Sequence, residues 1–127
     1  MGTHLLDTNV VIDFLANKLP PNGRRYMATV VNSVPIISVI SKIELLGFNG
    51  TTDAMELTED FVNISILLDL SPGVVDKTIE LRRQYKIKPP DAIIAATALV
   101  HHLTLISRNF DDFKRIAGLT VVDAHRI

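Results

Sequence analysis

Hydrophobic positions in this chain fall into two kinds of run. Residues 3–6, 35–38, 63–68, 103–107 and 119–123 are brief and apolar almost throughout, which predicts short buried strands. Between them the apolar residues recur every three or four positions, which predicts helices. The first helix covers 9–17, with Val10, Val11, Phe14 and Leu15 on one side. Leu19-Pro20-Pro21-Asn22-Gly23 breaks the chain, and a second helix follows over 24–31. Residues 39–48 form a third, with Ile40, Ile43 and Leu45 or Leu46 inward, and 52–61 a fourth. Ser71-Pro72 is a hydroxyl cap followed by proline at the first helical position. The helix it starts runs to about residue 85 and presents Val74, Val75, Thr78, Ile79 and Leu81. Lys88-Pro89-Pro90 interrupts again, before an alanine-rich helix over 91–101 and a short one over 109–117 that ends at Gly118.

Short apolar strands alternating with helices predict an α/β architecture: a parallel sheet of about five strands, covered on both faces. In such sheets ligands bind beyond the carboxyl ends of the strands. The 127 residues suit one domain, 1–127, without repeat, linker or low-complexity tract. A hydrophobic content of 47% is enough for a core and excludes a disordered chain. The absence of cysteine excludes disulfides, thiol nucleophiles and cysteine-based zinc sites. No apolar run reaches the ~18 residues that span a bilayer, and no charged-then-apolar leader opens the chain. The expectation is a soluble, cytoplasmic protein that does not engage membranes.

Carboxylates are the chemistry that this arrangement collects. Asp7 ends the first strand, Glu44 lies in the helix after the second, and Asn109, Asp111 and Asp112 follow the fourth. Asp91 opens the helix leading into that fourth strand. A helix between parallel strands runs back from the carboxyl edge, so Asp91 joins the same edge. Carboxylates brought together repel, and a divalent cation relieves the conflict. An all-oxygen donor set suits magnesium or manganese. No phosphate loop, dinucleotide fingerprint or serine–histidine–acid spacing competes. Each acid also has a plain structural reading. Asp7 caps the next helix, Glu44 faces water, and Asp91, Asp111 and Asp112 complement helix dipoles. Each plain reading is good alone, but their joint occurrence around one edge is not. Asp13 reads as a solvated helix acid or a partner in a helix salt bridge, and Asp123 as a turn acid. His101 and His102 end a helix and lack ligand spacing with His4 or His125.

The segments "LLDTNVVIDFL", "ISVISKIELLGF" and "KPPDAIIAATALVHHLTLISRNFDDF" resemble, in order and character, those of PIN domains, in particular the VapC toxins of VapBC toxin–antitoxin pairs. The resemblance covers essentially the whole chain. It implies a PIN-like α/β/α fold and a magnesium- or manganese-dependent endoribonuclease. Asp7, Glu44 and Asp91 match the family's first three acids, and this pattern together with the shared edge favours a metal site for them, with Asp112 behind and Asp111 as plain surface. In "SRNFDDF", Ser107, Asn109 and Asp112 take the places of a family hydroxyl, asparagine and later acid. Some PIN domains carry Asp where Asn109 stands, so Asn109, Asp112 or neither touches metal. Thr8 and Asn9 follow the first acid as in relatives, and the Thr8 hydroxyl could hold a water or a metal-bound carboxylate. The resemblance further implies an RNA substrate, a VapB-like antitoxin whose tail blocks the acidic groove, and a homodimer. Met27 and Val31 could serve such contacts or sit in the core.

The net charge of −1 gives no global attraction for nucleic acid, so a local patch must supply it. Arg24-Arg25, Arg82-Arg83 with Lys86 and Lys88, and Arg108 with Lys114-Arg115 are the basic clusters. Most read as wet helix faces. Arg108 is the phosphate-contact candidate, because it adjoins the acids. With no tryptophan and 6% aromatics, a base-stacking platform is not expected. Two alternatives remain. One is a PIN-like module that binds RNA or protein without cutting. The other is a phosphoacceptor regulatory domain, which wants paired acids after the first strand and a lysine after the last. Here Asp7 stands single and no lysine follows Val121-Val122.

Overall fold

Strand register decides where every catalytic candidate can go. In the computed structural model, which describes residues 2–127, five strands form one all-parallel sheet in the order β3-β2-β1-β4-β5. They are β1 (His4–Leu6), β2 (Ile36–Ser38), β3 (Ile66–Leu68), β4 (Thr104–Ile106) and β5 (Val121–Val122). The helices are α1 (Thr8–Leu15), α2 (Pro21–Ser33), α3 (Val39–Leu46), α4 (Thr52–Ile64), α5 (Pro72–Gln84), α6 (Pro89–Val100) and α7 (Phe110–Phe113).

Alternation along the central strands divides the interior into two cores, one on each face. Leu6, Ile37 and Ile106 point to a cluster with Val10, Val11, Met27, Val30, Leu45 and Phe61, from α1 to α4. Their neighbours Leu5, Ile36 and Leu105 point the opposite way, to Val74, Leu81, Ile94, Ala95, Ala98 and Phe113, from α5 to α7. The predicted three-layer α/β/α fold with a sheet of five parallel strands is the fold observed. Among the described residues, no helix is long and apolar enough to cross a membrane.

Several expected boundaries move, each for a physical reason. The prolines read as breaks start helices instead: Pro21 opens α2, and Pro89-Pro90 open α6, where a missing N–H costs nothing. Gly23 therefore lies inside a helix. A β-carbon there would stand 1.8 Å from the Ala124 carbonyl oxygen, so this glycine permits a backbone-to-backbone approach. The helix expected over 109–117 is only α7, four residues long, and Gly118 turns the chain with φ of 82°. The strand expected over 63–68 gives Asn63 and Ile64 to the end of α4 and Ser65 to its C-cap. Ile43, expected inward, is 61% exposed; of Leu45 and Leu46, one of them expected inward, Leu45 is buried and Leu46 is 43% exposed. Val75 and Ile79 on α5 are likewise exposed, leaving Val74 and Leu81 to make its core face. Met27 is fully buried, which settles its place in the core.

Candidate functional site

Asp7 leaves β1 at the carboxyl edge of the sheet, and the register Leu6↔Ile106 puts it beside Ser107. Its backbone N–H continues the ladder to the Ile106 carbonyl at 3.0 Å. Both carboxylate oxygens are then held. The Thr8 N–H donates to Oδ1 at 2.8 Å, and the Ser107 hydroxyl donates to Oδ2 at 2.7 Å. Ser107 Oγ in turn accepts the Asn109 N–H at 3.0 Å. Asp7 is thus both the N-cap of α1 and a fixed wall of a cleft.

Glu44 comes from α3, which starts at the carboxyl end of β2 with Ser38 as its N-cap. Ser41 and Glu44, three residues apart, share the helix face turned to Thr8. Thr8 Oγ1 lies 2.6 Å from Glu44 Oε1 and 3.0 Å from Ser41 Oγ. A carboxylate only accepts, so the single Thr8 proton goes to Glu44 and the Ser41 hydroxyl is left to donate to Thr8. Asp91 stands in the first turn of α6. Asp7, Thr8, Glu44, Asp91, Arg108 and Asn109 all line one cleft of about 390 Å³, with Asn9, Ile12, Pro90 and Ile94. Asp112 is not among its walls. It lines an adjoining trough that shares Asp91 and Asn109 with the cleft.

The electrostatics follow from this crowding. Burial pushes the Asp7 carboxyl above the usual carboxylate range, against the Ser107 and Thr8 hydrogen bonds, which favour its charged form. The negative charges of Asp91 and Glu44 push it further up. Burial also raises Asp91, followed by the charges of Asp112 and Glu44, and Lys88 opposes them. The acids therefore feel one another's charge, and a cation among them would relieve it. Their oxygen-only chemistry suits a hard divalent ion. Among the described residues, however, no three acidic or imidazole side chains already stand close enough to grip one ion together.

Ser41, Asn9 and Asp13 make contacts here that the sequence does not show. Ser41 is fully buried beneath Thr8. Asn9 Oδ1 accepts the Arg108 N–H at 3.2 Å and so ties α1 to the segment after β4. Asp13, expected on a solvated face or in a helix salt bridge, is 6% exposed, and its Oδ2 pairs beyond its own helix with Arg108 Nη1 at 3.0 Å and His125 Nε2 at 3.1 Å. The signal was present: Asp13 falls three residues after Val10, on the face that meets the core. Asp123 is a turn acid, as expected; Oδ1 accepts the His125 N–H at 2.9 Å and Oδ2 pairs with Arg126 Nε at 3.2 Å. Arg108 lines the cleft with its charge drawn toward Asp13 rather than toward the acids.

A family profile of the PIN domain matches residues 4–119. A comparison with curated proteins returns no match. Among solved structures, a chain of a "Toxin-antitoxin complex from Klebsiella pneumoniae" is 32% identical, with a TM-score of 0.76 over 98% of this chain and 99% of that one. A chain of DNA-bound VapBC from Salmonella typhimurium is 26% identical, with a TM-score of 0.82 over 98% and 99%. One from VapBC-1 of nontypeable Haemophilus influenzae, at 23% identity, shares the fold, with a TM-score of 0.76 over 95% and 97%.

Proposed function

Because the chain belongs to the PIN-domain family, we propose that it is a divalent-metal-dependent endoribonuclease and the toxin half of a toxin–antitoxin pair. The observation that carries this reading is the meeting of Asp7, Glu44 and Asp91 around one cleft, where burial first, and neighbouring negative charge after it, raises Asp7 and Asp91. Asp7 and Asp91 would hold magnesium or manganese, with Glu44 as a further oxygen donor. A bound ion would supply positive charge to the scissile phosphate and lower the pKa of an attacking water.

The chain's own residues do the positioning. Ser107 and the Thr8 N–H fix both oxygens of Asp7, so its orientation is set before substrate arrives. Thr8 holds Glu44 at the opposite wall. Asp112 acts on Asp91 through charge, from the adjoining trough. Asn109, whose N–H is bound to Ser107, is placed to meet substrate at the junction of cleft and trough.

A protein partner is supported by two features. The structures similar to this chain come from toxin–antitoxin complexes. Ile43, Leu46, Phe48 and Met55 also leave apolar surface exposed on α3, the following loop and α4. We assign that surface to an antitoxin of VapB type, and exposed Val75 and Ile79 on α5 to a homodimer contact. One observation favours a second reading, a module that binds without cutting: no three ligands are gathered in advance among the described residues.

The deciding experiment is digestion of a total cellular RNA pool with manganese, with and without chelator, beside Asp91→Asn. Cleavage by the unsubstituted protein in manganese alone is expected. Cleavage that survives chelation, or that Asp91→Asn retains in full, overturns the assignment. A folded protein that neither cuts RNA nor gains thermal stability from manganese points to the non-catalytic module. The toxin role is tested separately by its gene neighbourhood, where a small overlapping upstream gene is expected.

A further inference from the structure

The cleft that would take a scissile phosphate is lined by three carboxylates, so it repels the polyanion it would cut. Attraction has to come from elsewhere. Beside the cleft lies a larger trough of about 690 Å³, whose walls include Arg82, Lys86, Lys88 and Arg115. Four cations there face two carboxylates, Asp91 and Asp112. The cations come from three places in the chain: the last turn of α5, the loop into α6, and the segment after α7. Sequence alone gives no reason to group Arg82 with Arg115.

The trough is also braced. Arg115 donates from Nε to the Asp112 carbonyl at 3.1 Å and from Nη2 to the Lys86 carbonyl. Its guanidinium lies 5.8 Å from the centre of the Tyr85 ring, and the Tyr85 hydroxyl accepts the Ala117 N–H at 3.1 Å. The loop carrying Lys86 and Lys88 is thereby stapled to the segment after α7. Arg82 and Lys86 are exposed and make no side-chain ion pair or hydrogen bond among those found for the described residues, so their charges face solvent. Asp91 and Asn109 belong to both cavities, so a strand can pass from one to the other without a break.

We propose that this trough is the backbone-binding track of the substrate: it holds the phosphates of a single RNA strand on one side of the scissile bond, through Arg82, Lys86 and Lys88. The proposal rests on the ribonuclease reading for its substrate class, but it can be tested without cleavage. Phosphate contacts release counterions, so each contributes roughly 0.7 to the slope of log affinity against log salt for a single strand.

The test is equilibrium binding of an unstructured 12-nucleotide RNA, in chelator, across a salt series. The protein is compared with Arg82→Gln/Lys86→Gln and with Arg24→Gln/Arg25→Gln. The second pair lies on α2, which packs against the opposite face of the sheet. The trough pair should lower the slope by roughly 1.4 and the low-salt affinity on the order of tenfold. The α2 pair should change neither. In manganese, the trough pair should raise KM and leave kcat near its starting value. Equal losses in both pairs would mean diffuse charge attraction and would overturn the proposal. So would no loss in the trough pair, or no RNA binding while a polyglutamate peptide of equal length does bind. Trough-dependent RNA binding without any cleavage would leave the track standing and sink the nuclease reading instead.

Discussion

Asp7 carries two loads at once, and they conflict. It caps α1, and it sits almost wholly out of water among other acids. Its raised pKa, like that of Asp91, means that the folded state binds protons more readily than the unfolded chain. Stability therefore falls as pH rises from the ordinary carboxylate value of 3.8 through the raised folded values. Both charges cost stability at neutral pH. Asp7→Asn can keep the Thr8 N–H bond through its amide oxygen and turn its amide N–H to Ser107. It should melt higher than the parent at pH 7, by a margin that narrows toward pH 4, and it should lose RNA cleavage. Thermal scans across pH, with the parent alongside, check the sign. A variant that melts lower at pH 7 would contradict it.

Ser107 makes the complementary case. Ser107→Ala removes the donor to Asp7 Oδ2 and the acceptor of the Asn109 N–H together. An expected cost of about 1–3 kcal/mol follows from buried polar groups left unpaired. Manganese affinity should fall roughly 10–100-fold, the usual loss when a partner behind a metal ligand is removed. Denaturant melts and a manganese titration measure the two separately. Loss of stability with unchanged manganese affinity would make Ser107 structural only.

Among the elements, α2 shows what the sequence could not convey. Pro20-Pro21-Asn22-Gly23 has the composition of a turn, yet Pro21 opens the helix and Gly23 is buried inside it. The glycine is there because of Ala124, about a hundred residues away, whose carbonyl presses against it. Gly23→Ala should destabilise the protein by about 1–3 kcal/mol, as overpacking does, and a denaturant melt would show it. A neutral result would mean that the C-terminal segment gives way easily. Asp13 is a similar case. Its spacing from Val10 was visible, but its partners Arg108 and His125 lie beyond any local pattern. Strands, by contrast, were legible almost to the residue at their carboxyl ends. There apolar runs stop on Asp7, Ser38 and Ser107, and these stops are the site edge itself. The exposed Ile43 departs from the expected inward face of α3, because helical spacing marks an apolar face whether it meets the core or a partner.

At the scale of the whole molecule, the proposed metal site would link ion binding to folding. An ion held only by the folded state should stabilise it by about 2.7 kcal/mol at a hundred times its dissociation constant. Manganese should therefore raise the melting temperature, chelator should reverse the rise, and Asp7→Asn should not respond. Stabilisation that Asp7→Asn retained would place the ion elsewhere.

The strand order carries one more consequence. With β1 in the middle, everything up to β3 builds one wing and everything from α5 onward builds the other. Asp7 and Glu44 belong to the first wing, and Asp91 and Ser107 to the second. A break in the chain at Leu70, an exposed residue between β3 and α5, would separate the four cleanly. Residues 1–70 and 71–127 supplied as two polypeptides should each be inert toward RNA. Mixed, they should recover cutting only as fast as they find each other along the seam between β1 and β4. The protein is in this sense a two-key lock, and a split version would make its activity a reporter of whatever brings the two keys together.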